Sequence, residues 1–463
     1  MKKLISSILI LLSVSLFVVG AGYAQEGEPD WPTYSVQPGD TLYSISQRFG
    51  MTLDELVQAN GVADPNSISV GFSLALPGVE WVSGALTNTT MPLGETLRSI
   101  TRRYQTEANL IARLSGFVSP TQLAAGYPIM VPDGGIQYWE LGRMAVDSGT
   151  SLLEMAVLSD NNPWAIKSIN RLSGTWDSIP GDILFLPGTN DPGPGAFPSP
   201  ISQLSFDGNS LVQGKTAVFR VALNGMPIDL SGNLLGQELH FFEDDTGEYI
   251  ALQGIHVMMT PGQYPLSISG ESTNGAKFNF NQMVLLTTGG YNFEEISVDE
   301  YLLDPELSAS ETAFINEIVS KVTPEKYWQG KFVPPSPYAG LYNSYFGTRR
   351  SFNGSAFTYY HGGLDYQGGT GVQIYAPAAG RVVFAGPLTI RGNATLIDHG
   401  LGVFSGYWHQ SEIHVNVGDR VEQGQVIGLV GNTGRSSGAH LHWEILVGKI
   451  QVEPLDWLEF EYP

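Results

Sequence analysis

The spacing of hydrophobic positions changes several times along this 463-residue chain, and each change predicts a different kind of element. A mainly apolar run extends from Leu4 to about Gly20. Further on, in "TLYSISQRFG", Leu42, Ile45 and Phe49 recur at helical spacing behind a polar Thr41, and Gly50 can stop the helix. A second short helix, "TLDELVQANG", follows, and an apolar strand ends at Pro77, so the unit reads strand, helix, helix, strand. Between Ile201 and about Val298 the apolar runs are short and strand-like ("KTAVFRVAL", "PLSISG", "FNFNQMVLL") and are broken by Gly and Asn turns, which predicts an all-β sandwich. Near the end, "GAHLHWEI" alternates. Side chains two apart on a strand share a face, so His440 and His442 project together while Leu441 turns away.

The helical unit repeats. Gly39-Asp40-Thr41-Leu42, Gly94-Glu95-Thr96-Leu97 and Gly149-Thr150-Ser151-Leu152 keep one interval, and so do the closing prolines at 77, 132 and 187. This defines units at 33–79, 86–134 and 140–188. The third register is open to another reading, because "GTSLLEMAVLSDNN" also matches the second helix of the first unit followed by an insertion. Prolines and glycines in 189–200 then make a linker, and 201–298 forms the sandwich-like domain. Within 299–330, Ser308 and Glu311 make a capping box before "TAFINEIVSKV", which predicts a bridging helix into a last domain at 331–463.

Composition narrows the function classes. Lys2 and Lys3, the apolar run and the small residues before Ala24 read as a secretory signal over 1–24, with an uncleaved anchor as the alternative. No later segment is apolar enough to span a bilayer, so no stable membrane insertion is expected once the signal is removed. The absence of cysteine excludes a disulfide-stapled domain and a lipobox acceptor. A secreted or cell-envelope location, in cell wall or periplasm, follows. The formal charge of −22, with no basic cluster to offset it, argues against a nucleic-acid partner.

Six of the eight histidines lie between His361 and His442, and that density marks where chemistry is to be sought. "HGGLDY" supplies His361 and Asp365, four apart, with Gly362 and Gly363 favouring an extended segment that lets a bulky ligand approach the backbone. Two imidazoles and a carboxylate are a common catalytic zinc set, which His361, Asp365 and one histidine of the HLH pair complete. Such a site also needs a group to move a proton and donors for an oxyanion, and His409 together with the other member of the pair are available. His240 and His256 lack metal-like spacing, His414 reads as a surface residue, and Arg349 with Arg350 reads as a solvated charge pair.

The segment "YSVQPGDTLYSISQRFGMTLDELVQANGV" resembles a LysM module, a βααβ unit that binds N-acetylglucosamine-containing glycans. The second unit departs from it, with Ser115-Gly116 in place of the usual Asn after its second helix, and the third opens poorly at Leu141-Gly142. The segment from about Tyr345 to Pro454, with "HGGLDY", "GYWHQ" and "GAHLHWEI" in order, resembles the lysostaphin/LytM-type zinc endopeptidases. That resemblance implies an antiparallel β domain of the duplicated hybrid motif with an open groove. "VNVGDRVEQGQVIGLVG" in addition resembles a hairpin shared with lipoyl-type domains.

It also implies one Zn2+ per chain held by His361, Asp365 and His442, with His409 and His440 as catalytic histidines off the metal. His399 resembles a frequent family histidine with a structural role behind the site. Trp408 and Gln410 depart from the family pattern and point to a different groove shape.

The expected protein is therefore multidomain and mainly β. Its expected function is that of a secreted zinc metalloendopeptidase, a peptidoglycan hydrolase, that contacts glycan through LysM and peptide at the zinc site. A glycine bridge and a D-alanyl to diamino-acid link both suit the chemistry. The middle domain or the 303 to 323 helix is the candidate to cover the groove in a latent form. The alternative is a non-catalytic LytM-like regulator that activates a cell-wall amidase.

Overall fold

The computed structural model describes residues 31–79, 82, 84–133, 142–147, 149–188, 196–208, 210–224, 228–272, 277–297 and 305–463. The expected signal at 1–24 and most of the linker lie outside them. The chain divides into two compact units, Met1–Ala85 and Leu86–Pro463.

In the first unit, strand Thr33–Ser35 pairs antiparallel with Ser73–Ala75 around helices Leu42–Phe49 and Leu53–Asn60. Thr41 caps the first helix by accepting from Ser44 N–H while Ser44 Oγ accepts from Thr41 N–H, and Gly50 closes it in the left-handed region at φ 72°. Asn60 then ties helix to strand. Its Oδ1 accepts from Ala75 N–H at 2.6 Å, and its Nδ2 donates to the carbonyls of Ala75 and Leu56 at 2.8 and 2.9 Å.

The second unit contains the other two repeats, and both keep the order expected of them. One runs Ala85–Thr90, Leu97–Arg103, Ala108–Ser115, Pro128–Asp133, and the other Gly142–Ala145, Leu152–Leu158, Pro163–Ile169, Ile183–Leu186. The last repeat reproduces the clamp, with Asn170 bonded to the N–H and carbonyl of Phe185 at 2.7 and 2.8 Å. In the middle repeat Ser115 Oγ accepts from Met130 N–H at 2.9 Å, so the sequence departure there gives up the donor half of a structural clamp. The two repeats are joined by ion pairs, Arg102 to Asp182 at 2.7 Å and Arg143 to Glu95 at 2.6 Å, in which both carboxylates are buried. Removing one partner of such a pair would strand a buried charge, which holds the arrangement together.

Two sheets with a shared core form the sandwich. One runs Gln237–Leu239, Ile228–Leu234, Gly262–Ser272, Lys277–Thr287, Leu211–Val212; the other runs Phe242–Glu243, Tyr249–Gly254, Thr216–Leu223, Ile201–Phe206. Phe219, Val221, Ala251, Leu266, Ile268, Val284 and Leu286 meet between them, as period-two alternation requires.

The C-terminal part is built on an antiparallel sheet in the order Tyr342–Ser344, Leu364–Gln367, His440–Val447, Val403–Gln410, Gly392–Gly400, Gly380–Leu388, Arg420–Val421. One face buries Tyr366, Tyr407, Leu441, Trp443 and Ile445 against Trp328, Phe332 and Trp457. On the other face Leu446, Phe404, Trp408, Ala394 and Leu396 pack under Ile315 and Val319 of helix Pro305–Val319. This helix begins a turn earlier than expected, so Ser308 is interior to it and the anticipated capping box does not form; Glu311 reaches instead to the N–H groups of Ile390 and Arg391. Trp408 is 1% exposed and belongs to this helix interface, so its departure from the family pattern serves packing and does not shape a groove.

Candidate metal centre

The strand His440–Val447 lies between Leu364–Gln367 and Val403–Gln410, and register does the rest. Asp365 is paired directly with His442, Gln367 with His440, and Trp408 with His442. Alternation places His440, His442 and Glu444 on one face, with Asp365 beside them. His361 enters from the segment just before the aspartate strand. Gly362 and Gly363 make this approach possible: a Cβ on Gly363 would stand 2.4 Å from the Trp443 carbonyl oxygen and 2.7 Å from His442 Nε2. Gly363 thus makes room for a histidine of the site itself, and Gly362 for Gln451 and Glu444.

His361 Nε2, Asp365 Oδ1 and His442 Nδ1 form a triangle with sides of 3.1, 2.8 and 3.0 Å. The outward ring atoms are engaged. His361 Nδ1 is 2.9 Å from the Tyr345 carbonyl oxygen and 3.3 Å from Ser344 Oγ, and His442 Nε2 is 3.0 Å from Glu444 Oε1. A carbonyl or carboxylate partner assigns the imidazole proton to the outward nitrogen, so the inward nitrogens present lone pairs to a carboxylate. Three acceptors this close repel unless positive charge, from a proton or a metal ion, lies among them. The edge of a tetrahedron with bonds of about 2 Å is roughly 3.3 Å, close to the sides observed. The donor set and its supporting partners therefore fit zinc.

Electrostatics agree with the geometry. Burial opposes ionisation of Asp365, yet the imidazoles of His361 and His442 hold its carboxyl well below the usual range. Burial likewise opposes charge on His442, but Asp365 and then Glu444 outweigh it and push the imidazole up to about 9. Burial lowers the pKa of His361 despite Asp365. Glu444 is brought down to about 2, against its burial, by His442 and then by Arg391 and Gln451. The pocket is one that favours positive charge.

Two further imidazoles stand beside the triangle. His409 lies 5.0 Å from His440 and 6.1 Å from His442, measured between ring centres. Its Nδ1 is 2.7 Å from the Thr433 carbonyl oxygen, which places the proton there and leaves Nε2 as a free acceptor. Burial, and then the neighbouring His442 and His440, lower its pKa to about 3. His440 Nδ1 is 2.8 Å from the Gly438 carbonyl oxygen and 3.2 Å from Ser436 Oγ, and its Nε2 is 3.7 Å from Asp365 Oδ1.

A β-bulge aims His409. Asn393 faces Gln410 and Thr395 faces Tyr407, so Trp408 and His409 together oppose Ala394 alone, and His409 takes a left-handed backbone at φ 64°. Plain alternation would send Trp408 and His409 to opposite faces; the extra residue lets Trp408 stay in the core while His409 turns to the cluster.

The five expected side chains thus converge. His399 does sit behind, fully buried between the Ala379 carbonyl oxygen at 2.8 Å and Ser405 Oγ at 2.7 Å. His414 is a surface residue paired with Glu412 at 3.2 Å. The two arginines differ from expectation. Arg349 donates to the Val257 carbonyl oxygen at 2.5 Å, and Arg350 donates to Ser344 Oγ at 2.9 Å, so both are anchored and Arg350 braces the hydroxyl beside His361. Glu444, Tyr345, Ser344 and Thr433 were not anticipated. Only Glu444 had a legible signal, as the next same-face residue after His440 and His442.

Residues 359–454 match the model of peptidase family M23, and residues 34–77 and 93–132 match the LysM domain. The peptidoglycan DD-endopeptidase ShyA of Vibrio cholerae is 41% identical over 87 residues, 19% of this chain and 20% of that protein. The DD-carboxypeptidase/endopeptidase Mpg of Neisseria meningitidis serogroup B is 41% identical over 95 residues, 20% of this chain and 22% of that one. The chain thus spans about a fifth of the length of these curated relatives. Among solved structures, the antimicrobial peptidase lysostaphin from Staphylococcus simulans is 32% identical over 21% of this chain and 44% of that one, with a TM-score of 0.21. The chain therefore carries a peptidase family M23 domain together with LysM domains.

Proposed function

We propose that this protein is a zinc-dependent endopeptidase that cuts the peptide part of peptidoglycan and is brought to the cell wall by its LysM repeats. The observation that carries this reading is the convergence of His361 Nε2, Asp365 Oδ1 and His442 Nδ1 as three inward lone-pair donors, with their outward atoms engaged by Tyr345 and Glu444. Zinc held there supplies the Lewis acidity that lets water attack a carbonyl at neutral pH. His409, with Nδ1–H committed to Thr433, offers Nε2 to take a proton from that water and return it to the leaving amine. His440, whose ring centre is 5.0 Å from that of His409, has its Nδ1 turned to the Gly438 carbonyl and Ser436, so it supports the developing oxyanion only when a second proton sits on Nε2.

The names of the curated relatives, a peptidoglycan DD-endopeptidase and a DD-carboxypeptidase/endopeptidase, favour the D-alanyl to diamino-acid link as the bond attacked. Secretion to the cell envelope fits such a substrate. The test is digestion of defined peptidoglycans by the full chain, with mass spectrometry of the released fragments and metal analysis of the pure protein. One zinc per chain is expected, and chelation or His442→Ala should abolish cleavage while wall binding persists. Protein that neither holds nor responds to zinc would instead be the regulator of a separate amidase.

A further inference from the structure

Glu311 has a buried carboxylate, with its side chain 5% exposed, on the helix Pro305–Val319 that precedes the matched peptidase segment. Its Oε2 accepts from Ile390 N–H at 2.9 Å, and its Oε1 accepts from Arg391 N–H and Arg391 Nη1, both at 3.0 Å. A carboxylate that grips two consecutive backbone N–H groups fixes the turn that carries them. The turn faces His409. The carbonyl of Arg391 accepts the N–H of His409 at 2.8 Å, and the carbonyl of Ile390 accepts the N–H of Arg435 at 2.7 Å.

The same turn also meets the segment that holds the ring of His409. Gly392 lies so close to Thr433 that a Cβ there would stand 2.3 Å from its hydroxyl and 2.4 Å from its carbonyl oxygen, the atom that receives His409 Nδ1. The guanidinium of Arg391 lies 5.3 Å over the Trp408 ring, the bulge partner of His409. Left-handed backbone at a residue with a side chain costs of order 1–3 kcal/mol and persists only where its surroundings impose it. Here the imposing contacts pass through the 390–392 turn, at the backbone of His409 on one side and at Thr433 on the other.

We infer that Glu311 is a positioning residue: by clamping the 390–392 turn, the bridging helix holds the bulge that aims His409 Nε2 at the metal centre. The helix is then a working part of the peptidase. This rests on the reading of His409 as the residue that moves the proton.

The test uses the full-length, zinc-loaded protein acting on a soluble cross-linked muropeptide, with Glu311→Ala, Glu311→Gln and His409→Ala compared. In Glu311→Ala, kcat should fall about 10- to 100-fold with KM within about twofold, since a small misplacement of a reacting group costs on that scale. Zinc content should stay at one per chain. The ring nitrogen resonances of His409 should lose the pure Nδ1–H pattern. Glu311→Gln, which keeps one acceptor oxygen, should lose less on both readouts, and it carries the test by itself if the alanine variant fails to fold. An inactive His409→Ala beside a Glu311 variant with wild-type kcat and unchanged His409 resonances overturns the inference while leaving the reading of His409 intact. A fully active His409→Ala removes that reading, and the inference with it.

Discussion

Asp365 and His442 are direct cross-strand partners, and the carboxylate oxygen of the first stands 2.8 Å from the inward nitrogen of the second. Residues far apart in the chain thereby become adjacent on one face, at the spacing of a non-covalent pair that a cation can join. Asp365→Asn keeps the shape but replaces a charged oxygen with a neutral amide. We expect the variant to fold and to lose stoichiometric zinc, as read by competition with a chromophoric chelator. Retention of wild-type affinity would exclude Asp365 as a ligand.

Glu444 fixes the tautomer of His442 from outside the triangle. Glu444→Gln leaves an acceptor oxygen but removes the charge that makes the imidazole a stronger donor. Zinc affinity should drop about 10- to 100-fold, the usual scale for a partner of a metal-binding histidine. Equal affinities in a chelator competition would show that the contact has no part in metal binding.

Gly363 is a packing requirement of the site. A methyl group there meets the Trp443 carbonyl and the His442 ring, so Gly363→Ala should cost about 1–3 kcal/mol and weaken zinc binding. Gly369, in the same segment, has nothing within 4 Å of its would-be Cβ and serves as the control. Urea titration of both variants decides the matter, since a stable Gly363→Ala would mean the strand can shift without harm.

Burial lowers the pKa of His399 to about 4, from an ordinary value of 6.5. The unfolded chain therefore binds the proton first, and stability is full above pH 6.5 and declines as the pH falls from there to about 4. The decline attributable to this residue is roughly 3 kcal/mol. Glu453 acts in the opposite sense, because burial pushes its carboxyl up to about 7 despite Lys215, and its contribution is lost as the pH rises towards that value. The difference between wild type and His399→Gln isolates the histidine. Denaturation midpoints at several pH values should show a shallower acid decline in the variant, and parallel profiles would refute the assignment.

Much of this was legible in local patterns. Thr41 and Gly50 mark the ends of a helix because caps act within one turn, and His440 and His442 share a face because a strand has a period of two. The density of histidines and the two motifs around them named the five site residues, although spacing alone left open which histidine of the pair faces the triangle. Three features could not be read in this way. The pairing of Asp365 with His442 depends on strand register across the sheet. The orientation of His409 depends on a bulge that counts two residues against one, with no signature in its own neighbourhood. The use of Glu311 depends on a helix whose first turn formed earlier than its capping pattern announced, freeing the carboxylate for a turn about 80 residues away. Local sequence specifies torsion preferences and faces, because those energies act between near neighbours. Register, bulges and long-range clamps are set when distant segments close together and bury each other's polar groups, and only the folded chain brings those partners into reach.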